Sequence, residues 1–267
     1  MKKLSILAAG VIGFCAIFGS AAVYAQQKVS KLTLIPQKGK LRVCQVPNYY
    51  AISFRNPKTG ELEGIDVDLS NELAKELNVQ LEIVETQFST FIADLQADKC
   101  DIGMFAVAAT LKRAQAVEFS NPYLESGLYA IVKDGSKIEK WDDVDQPGVR
   151  VVTGLGSFMD DIMKGYLKKA TQRSVVPPAD MLSELAANKA DVYISDYPAS
   201  VRIKKEFDWA KLIAPSEPLA VTPYSYVVAP GDQVWLNFIN LFVRTIHNDG
   251  RLKKYADKHN LSPMVAK

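Results

Sequence analysis

One pattern limits this chain more than any other: a strand–helix–strand–helix–strand order that runs through once and then starts again. Residues 41–46 read as a first strand. GIDVDLSNELAKEL follows, placing Ile65, Leu69, Leu73 and Leu77 four apart on one helical face. Residues 80–84 form a second strand, and Phe88, Ile92 and Leu95 mark a short helix capped by Ser89. Residues 101–106 are a nearly unbroken apolar run, which suits a strand buried on both faces. This order is a βαβαβ unit with a parallel sheet. The second pass begins with an extended segment at 128–133, a strand at 149–153, and a helix carrying Phe158, Ile162 and Tyr166. A short strand at 174–176, a helix at 181–188 and an apolar strand at 191–195 complete it, with Pro198 placed for the first turn of the next helix. A last strand at 224–229 precedes a helix with Trp235, Phe238, Phe242 and Ile246 at helical spacing. Two such units, one inserted in the other, predict an α/β fold with a cleft between lobes. Ligands favour that cleft and the carboxyl ends of parallel strands.

The first 25 residues stand apart from the fold. Lys2 and Lys3 precede an uncharged, mostly apolar run, and Val23-Tyr24-Ala25 is a cleavage site of the signal-peptide type. A retained membrane anchor is the rival reading, because the run approaches spanning length. Its glycines and small residues favour cleavage and export. Removing Lys2 and Lys3 from the 32 basic residues leaves 30 against 30 acidic ones. A formally neutral mature chain argues against nucleic acid as partner. Cys44 and Cys100 remain, an even number for an oxidising compartment. Both lie near parallel strands, where in-register pairing would hold them too far apart for a bond, so a bridge stays open.

Candidate site residues fall at strand ends and loops. Thr110 can cap a short helix whose third residue is Arg113. A cation in a first helical turn opposes the helix dipole, and a shared anion would account for it. A solvated surface arginine is the alternative. Asp196 ends an apolar strand and is able to accept from an ammonium group or to serve as an ordinary helix N-cap. Tyr49 and Phe88 sit beside turns, as walls around a ligand or as plain core. Gly154-Leu155-Gly156-Ser157 lacks the spacing of a nucleotide-binding loop. His247 and His259 lie far from any nucleophile, and no metal-ligand spacing or nucleophile elbow appears. The expectation is therefore a chain with no catalytic residues, metal or cofactor.

LRVCQVPNYYAISF, GELEGIDVDLSNELAKEL, the 100–123 stretch and ADVYISDYPAS together resemble the periplasmic solute-binding proteins of polar amino-acid ABC transporters, family 3. The resemblance covers essentially the whole mature chain. It implies a two-lobed type II periplasmic-binding-protein fold, with sheets flanked by helices and two crossover strands. Lobe 1 would be 26–124 with 222–267, and lobe 2 would be 125–221. It implies a periplasmic monomer that hands a small amino-acid-like ligand to an inner-membrane permease. Carried over by position, Arg113 pairs with the ligand carboxylate, Asp196 takes the ammonium, and Tyr49 with Phe88 flank the side chain. Ala106 and Ala108 stand where a small or hydroxylated residue is common, so only their backbone groups are available. Ser157 and Phe158 occupy the usual Gly-Thr or Gly-Ser donor loop, with Phe158 a departure. Phe105 is another, bulkier than usual.

The chain is also similar to the periplasmic cyclohexadienyl dehydratases of the same family, through LRVC with KCDI, EGIDVD and DQPGV. Their reaction expels hydroxyl and carbon dioxide and needs a placed proton donor. Here the position of their catalytic glutamate is Ala199, and that of their lysine is Leu128. A third resemblance is to periplasmic proteins of this fold that are associated with quinoprotein alcohol dehydrogenases and bind a partner.

Overall fold

The computed structural model describes residues 29–176 and 180–266; the leader expected at 1–25 lies outside them. Strands Gln80–Glu85, Lys40–Gln45, Ile102–Ala108, Thr222–Val228 and Glu118–Phe119 form the first sheet in that order, with Leu124–Ser126 also on Thr222–Val228. The first three are parallel, as the βαβ pattern requires, and Thr222–Val228 returns antiparallel beside Ile102–Ala108. The second sheet runs Thr171–Val175, Arg150–Gly154, Val192–Ser195, Tyr129–Lys133, Ala210–Ile213. Its first three strands are parallel and Tyr129–Lys133 is antiparallel to both neighbours. Each parallel βαβ core is thus extended by antiparallel strands.

The apolar stripes read from the sequence turn inward. Ile65, Leu69 and Leu73 of the helix Ile65–Glu76 are fully buried and Leu77, just past it, is half-buried; on the helix Gln233–Asn248, Trp235, Phe242 and Ile246 are buried and Phe238 is half-buried. Every residue of Ile102–Ala108 is buried, which explains its lack of alternation. Gly64 enters the first of these helices at φ +136°, and a Cβ there would lie 2.3 Å from the carbonyl oxygen of Ile52. No other residue fits that junction.

Several local expectations change. The lysine-rich lead before the first strand contains a helix, Lys31–Lys38, capped by the Ser30 hydroxyl and closed by Gly39 at φ +68°. Its single buried residue, Ile35, gave no periodicity to read. Around Tyr49 the chain forms a small antiparallel sheet of Asn48–Tyr49, Ser53–Arg55 and Leu62–Glu63. Ser89 does not cap the next helix, Phe91–Gln96, which begins after Thr90 and has no side-chain cap.

Cys44 and Cys100 are joined by a disulfide, with Cα atoms 5.6 Å apart. In-register extension would place Cys100 three residues below Cys44, because Cys44 faces Gly103. The chain does not extend there. Lys99 and Asp101, on either side of Cys100, are bends, and Cys100 lies outside the strand that begins at Ile102.

Candidate functional site

A cavity lies between the two sheets, at the ends of Lys40–Gln45, Ile102–Ala108, Arg150–Gly154 and Val192–Ser195. Its lining includes Tyr49, Phe88, Ala106, Ala108, Ser157, Phe158 and Asp196. All the expected site residues except Arg113 therefore meet at one cavity. Ala199, where a proton donor would be needed for elimination, also lines it, whereas Leu128 is buried at 1 % exposure.

Asp196 begins the helix Tyr197–Glu206 but does not cap it. Its Oδ2 accepts from the hydroxyls of Tyr49 and Tyr224, the latter at 2.5 Å. Among the described residues, Oδ1 is buried with no hydrogen-bond partner. Desolvation raises the Asp196 carboxyl above its ordinary range, and the two hydroxyls pull it back down. The same enclosure raises Tyr49 and Tyr224 well above 10, so both remain donors.

Arg113 is buried at 6 % exposure, so the solvated-surface alternative fails. Thr110 caps its short helix as expected, accepting from the Arg113 amide at 3.3 Å. The guanidinium lies over the Phe91 ring at 5.5 Å. It donates to the carbonyl oxygen of Ala108 at 3.0 Å and, across the cleft, to that of Gly156 at 2.9 Å. Burial lowers its pKa from the usual guanidinium value. Behind the cavity the rings of Tyr49, Phe88, Phe105 and Phe91 pack edge to face, with centroids 5.4–5.6 Å apart. Phe105 is thus fully buried support for Phe88 and not a wall of the cavity.

Ser157 caps the helix Phe158–Tyr166, its hydroxyl oxygen accepting from the Asp160 amide at 3.2 Å. Phe158 packs on Tyr224 at 5.9 Å. Gly156 sits at φ +75° with its Cα turned against the Phe88–Ser89 backbone, where a Cβ would come within 2.8 Å. Other cross-cleft contacts are the Lys112–Asp161 ion pair and Arg202, whose guanidinium lies 5.3–5.8 Å from the rings of Phe54, Phe207 and Tyr50.

Sequence reasoning did not find Tyr224, Asp66 or Arg202. Asp66 is fully buried and accepts from the Ala106 amide at 2.8 Å, from the Tyr123 hydroxyl at 2.5 Å and from that of Tyr226 at 3.3 Å. Ala106 takes φ +49°, where the register of Ile102–Ala108 against Thr222–Val228 shifts. Burial raises Asp66 from 3.8 to about 7. Two acids two residues apart in GIDVD, one of them beside the apolar helical stripe, were the available signal.

The model of the bacterial extracellular solute-binding proteins, family 3, matches residues 41–262. The chain belongs to that family. Among similar proteins, the cyclohexadienyl dehydratase of Pseudomonas aeruginosa is 26 % identical over 243 residues, covering 90 % of this chain and 88 % of that one. The L-cystine-binding protein TcyJ of Escherichia coli is 24 % identical over 229 residues, covering 85 % of each. The crystal structure of the ancestral amino acid-binding protein AncCDT-1, a precursor of cyclohexadienyl dehydratase, superposes with a TM-score of 0.79 at 31 % identity. It covers 86 % of this chain and 99 % of that one. The two-lobed type II periplasmic-binding-protein fold is shared with such structures.

Proposed function

We propose that this family 3 protein captures an α-amino acid outside the cytoplasm and delivers it to an ABC importer. The observation that carries the reading is Asp196: a wholly buried carboxylate on the cavity, with Oδ2 held by two tyrosines and Oδ1 without a partner among the described residues. A ligand ammonium satisfies that oxygen, and a buried unpaired acceptor otherwise carries a penalty of about 1–3 kcal/mol or more. Arg113 takes the ligand carboxylate. Two of its five N–H groups are engaged by Ala108 and Gly156, which fixes the plane of the fork. Tyr49 and Phe88 flank the ligand, Ala106 and Ala108 line the cavity with the Ala106 amide held by Asp66 and the Ala108 carbonyl by Arg113, and Ser157 and Phe158 close the cavity from the other lobe.

The lobes, 26–124 with 222–267 and 125–221, act as a clamp that closes on the ligand. The leader 1–25 is a cleaved signal peptide, the mature protein is a periplasmic monomer, and a membrane permease receives the cargo. No chemistry accompanies capture.

The Pseudomonas aeruginosa relative motivates a second reading, a dehydratase. It has little support at the cavity, where the Ala199 methyl group has no acidic proton to donate. Thermal shift and calorimetry against an amino-acid panel, with Asp196→Asn as control, test the receptor reading. Binding that Asp196→Asn abolishes supports it. Phenylpyruvate or phenylalanine formed from prephenate or arogenate would overturn it in favour of the enzyme.

A further inference from the structure

We infer that Asp66 is a positioning residue for ligand capture, fixing from behind the cavity the Ala106 backbone and, through it, the setting of Arg113; this rests on the amino-acid reading above. Ala106 and Ala108 line the cavity, and Asp66 stands behind them, fully buried. The strand that carries both alanines is paired unevenly. It meets Lys40–Gln45 through Ile102 and Gly103, and its register against Thr222–Val228 shifts between Ser225 and Val227. Ala106 lies beyond the first pairing and beside that shift. Among the described residues, it is the only non-glycine one with positive φ inside a strand; the others sit in turns or bends. Its amide donates to Asp66 Oδ2 at 2.8 Å and to the Tyr123 hydroxyl oxygen at 3.1 Å. A side chain from the first helix thus takes the part of a strand neighbour.

Asp66 suits this task because its own backbone is held. Its amide donates to the Ile52 carbonyl oxygen at 3.0 Å, and its carbonyl oxygen accepts from the Gln45 side chain at 3.0 Å and from the Ser70 hydroxyl at 2.5 Å. Two residues past Ala106, the carbonyl oxygen of Ala108 accepts from the Arg113 guanidinium at 3.0 Å. The hold on Ala106 therefore reaches the carboxylate clamp through one short stretch of chain. Without the Asp66 acceptor, Ala106 would relax toward negative φ, which a residue with a Cβ prefers. The peptide planes after it would turn, and the carbonyl that sets Arg113 would turn with them. Binding constellations tolerate displacements of only about 0.5 Å.

The test is isothermal titration with L-arginine, L-glutamine, L-glutamate, L-leucine and L-phenylalanine, following whichever binds the unaltered mature protein most tightly. Asp66→Ala and Asp66→Ser, the second leaving a polar group for the tyrosines, should each weaken binding at least tenfold with unchanged circular dichroism. Asp66→Asn, whose amide oxygen still accepts from Ala106, should stay within threefold of the parent. Glycine takes positive φ without strain, so Ala106→Gly added to either truncation should recover at least threefold. Truncations that bind as the parent does overturn the inference and leave the amino-acid reading intact. So does a loss that Ala106→Gly leaves untouched, because Asp66 would then act through the fold at large. Binding of none of the five by the parent overturns both.

Discussion

Asp66 should make folding of this protein depend on pH in a direction opposite to that of its surface acids. The carboxyl lies at 0 % exposure, with no cation among its partners, only the Ala106 amide and the hydroxyls of Tyr123 and Tyr226. Desolvation therefore dominates and lifts it from 3.8 to about 7. Between those values the folded chain holds a proton that the unfolded chain has released. Stability from this group is fully present below pH 4 and is lost as pH rises through 7. The span corresponds to roughly 4 kcal/mol. Asp196 shifts in the same direction, while ion-paired acids such as Asp68 and Asp101 are lowered and act oppositely. The comparison that isolates Asp66 is therefore the difference between the unaltered protein and Asp66→Asn, whose amide oxygen still accepts from Ala106. From pH 4 to pH 8 the variant should gain roughly 4 kcal/mol relative to the parent, or roughly 10 °C in melting temperature for a chain of this size. Melting curves by circular dichroism at half-unit pH steps give the measurement. Parallel pH profiles for the two proteins would refute the reasoning, because they would mean that Asp66 does not hold its proton in the fold.

Other perturbations separate the parts of the site. Reducing Cys44–Cys100, or replacing both with serine, should remove roughly 4 kcal/mol by the loop-entropy estimate for a 56-residue separation, read as a lower denaturation midpoint. Gly156→Ala would drive a Cβ to 2.8 Å from the Ser89 backbone, so the closed form should be lost and small-angle scattering should report a larger radius of gyration. Arg202→Ala removes a cation seated against Tyr50 and Phe54 across the cleft; ligand dissociation in stopped flow should accelerate severalfold, with Arg202→Lys intermediate. For a zwitterionic probe such as L-leucine, Arg113→Ala should weaken binding more than Tyr49→Ala, and equal minor losses would argue against carboxylate recognition.

The pattern of elements could be read from the sequence because each rests on spacing within one segment: Ile65, Leu69 and Leu73 on a helix, the nearly unbroken apolar run 101–106 in a strand. The site could be read only in part because its geometry is made between segments. Tyr49 reaches Asp196 over a separation of 147 residues, and Arg113 reaches Gly156 over 43. Nothing local to Asp196 distinguishes a helix cap from a ligand acceptor. Tyr49 and Tyr224, which arrive from elsewhere, occupy Oδ2, and the side chain forms no cap. The disulfide escaped for a related reason. Register arithmetic assumes an extended chain, and the bends at Lys99 and Asp101 break that assumption around Cys100.

Ala106 shows how far this dependence goes. Its φ of +49° costs energy for a residue with a Cβ, and such a conformation persists only where surroundings over-determine it. Here the surroundings are Asp66, Tyr123 and Tyr226, drawn from the first helix, the end of the first βαβαβ unit and the returning strand. The same return strand supplies Tyr224 to Asp196. One strand, Thr222–Val228, thus carries both a donor to the carboxylate on the cavity and a donor to the carboxylate that shapes its wall. Residues 224 and 226 share one face of a regular strand. The register shift between Ser225 and Val227 lies in between, and the two tyrosines serve different acids. Moving either hydroxyl would alter the setting of a buried carboxyl, so Tyr224→Phe should change ligand affinity and Tyr226→Phe chiefly the pH profile of stability. Swapped phenotypes would show that the strand does not divide its work between the two acids.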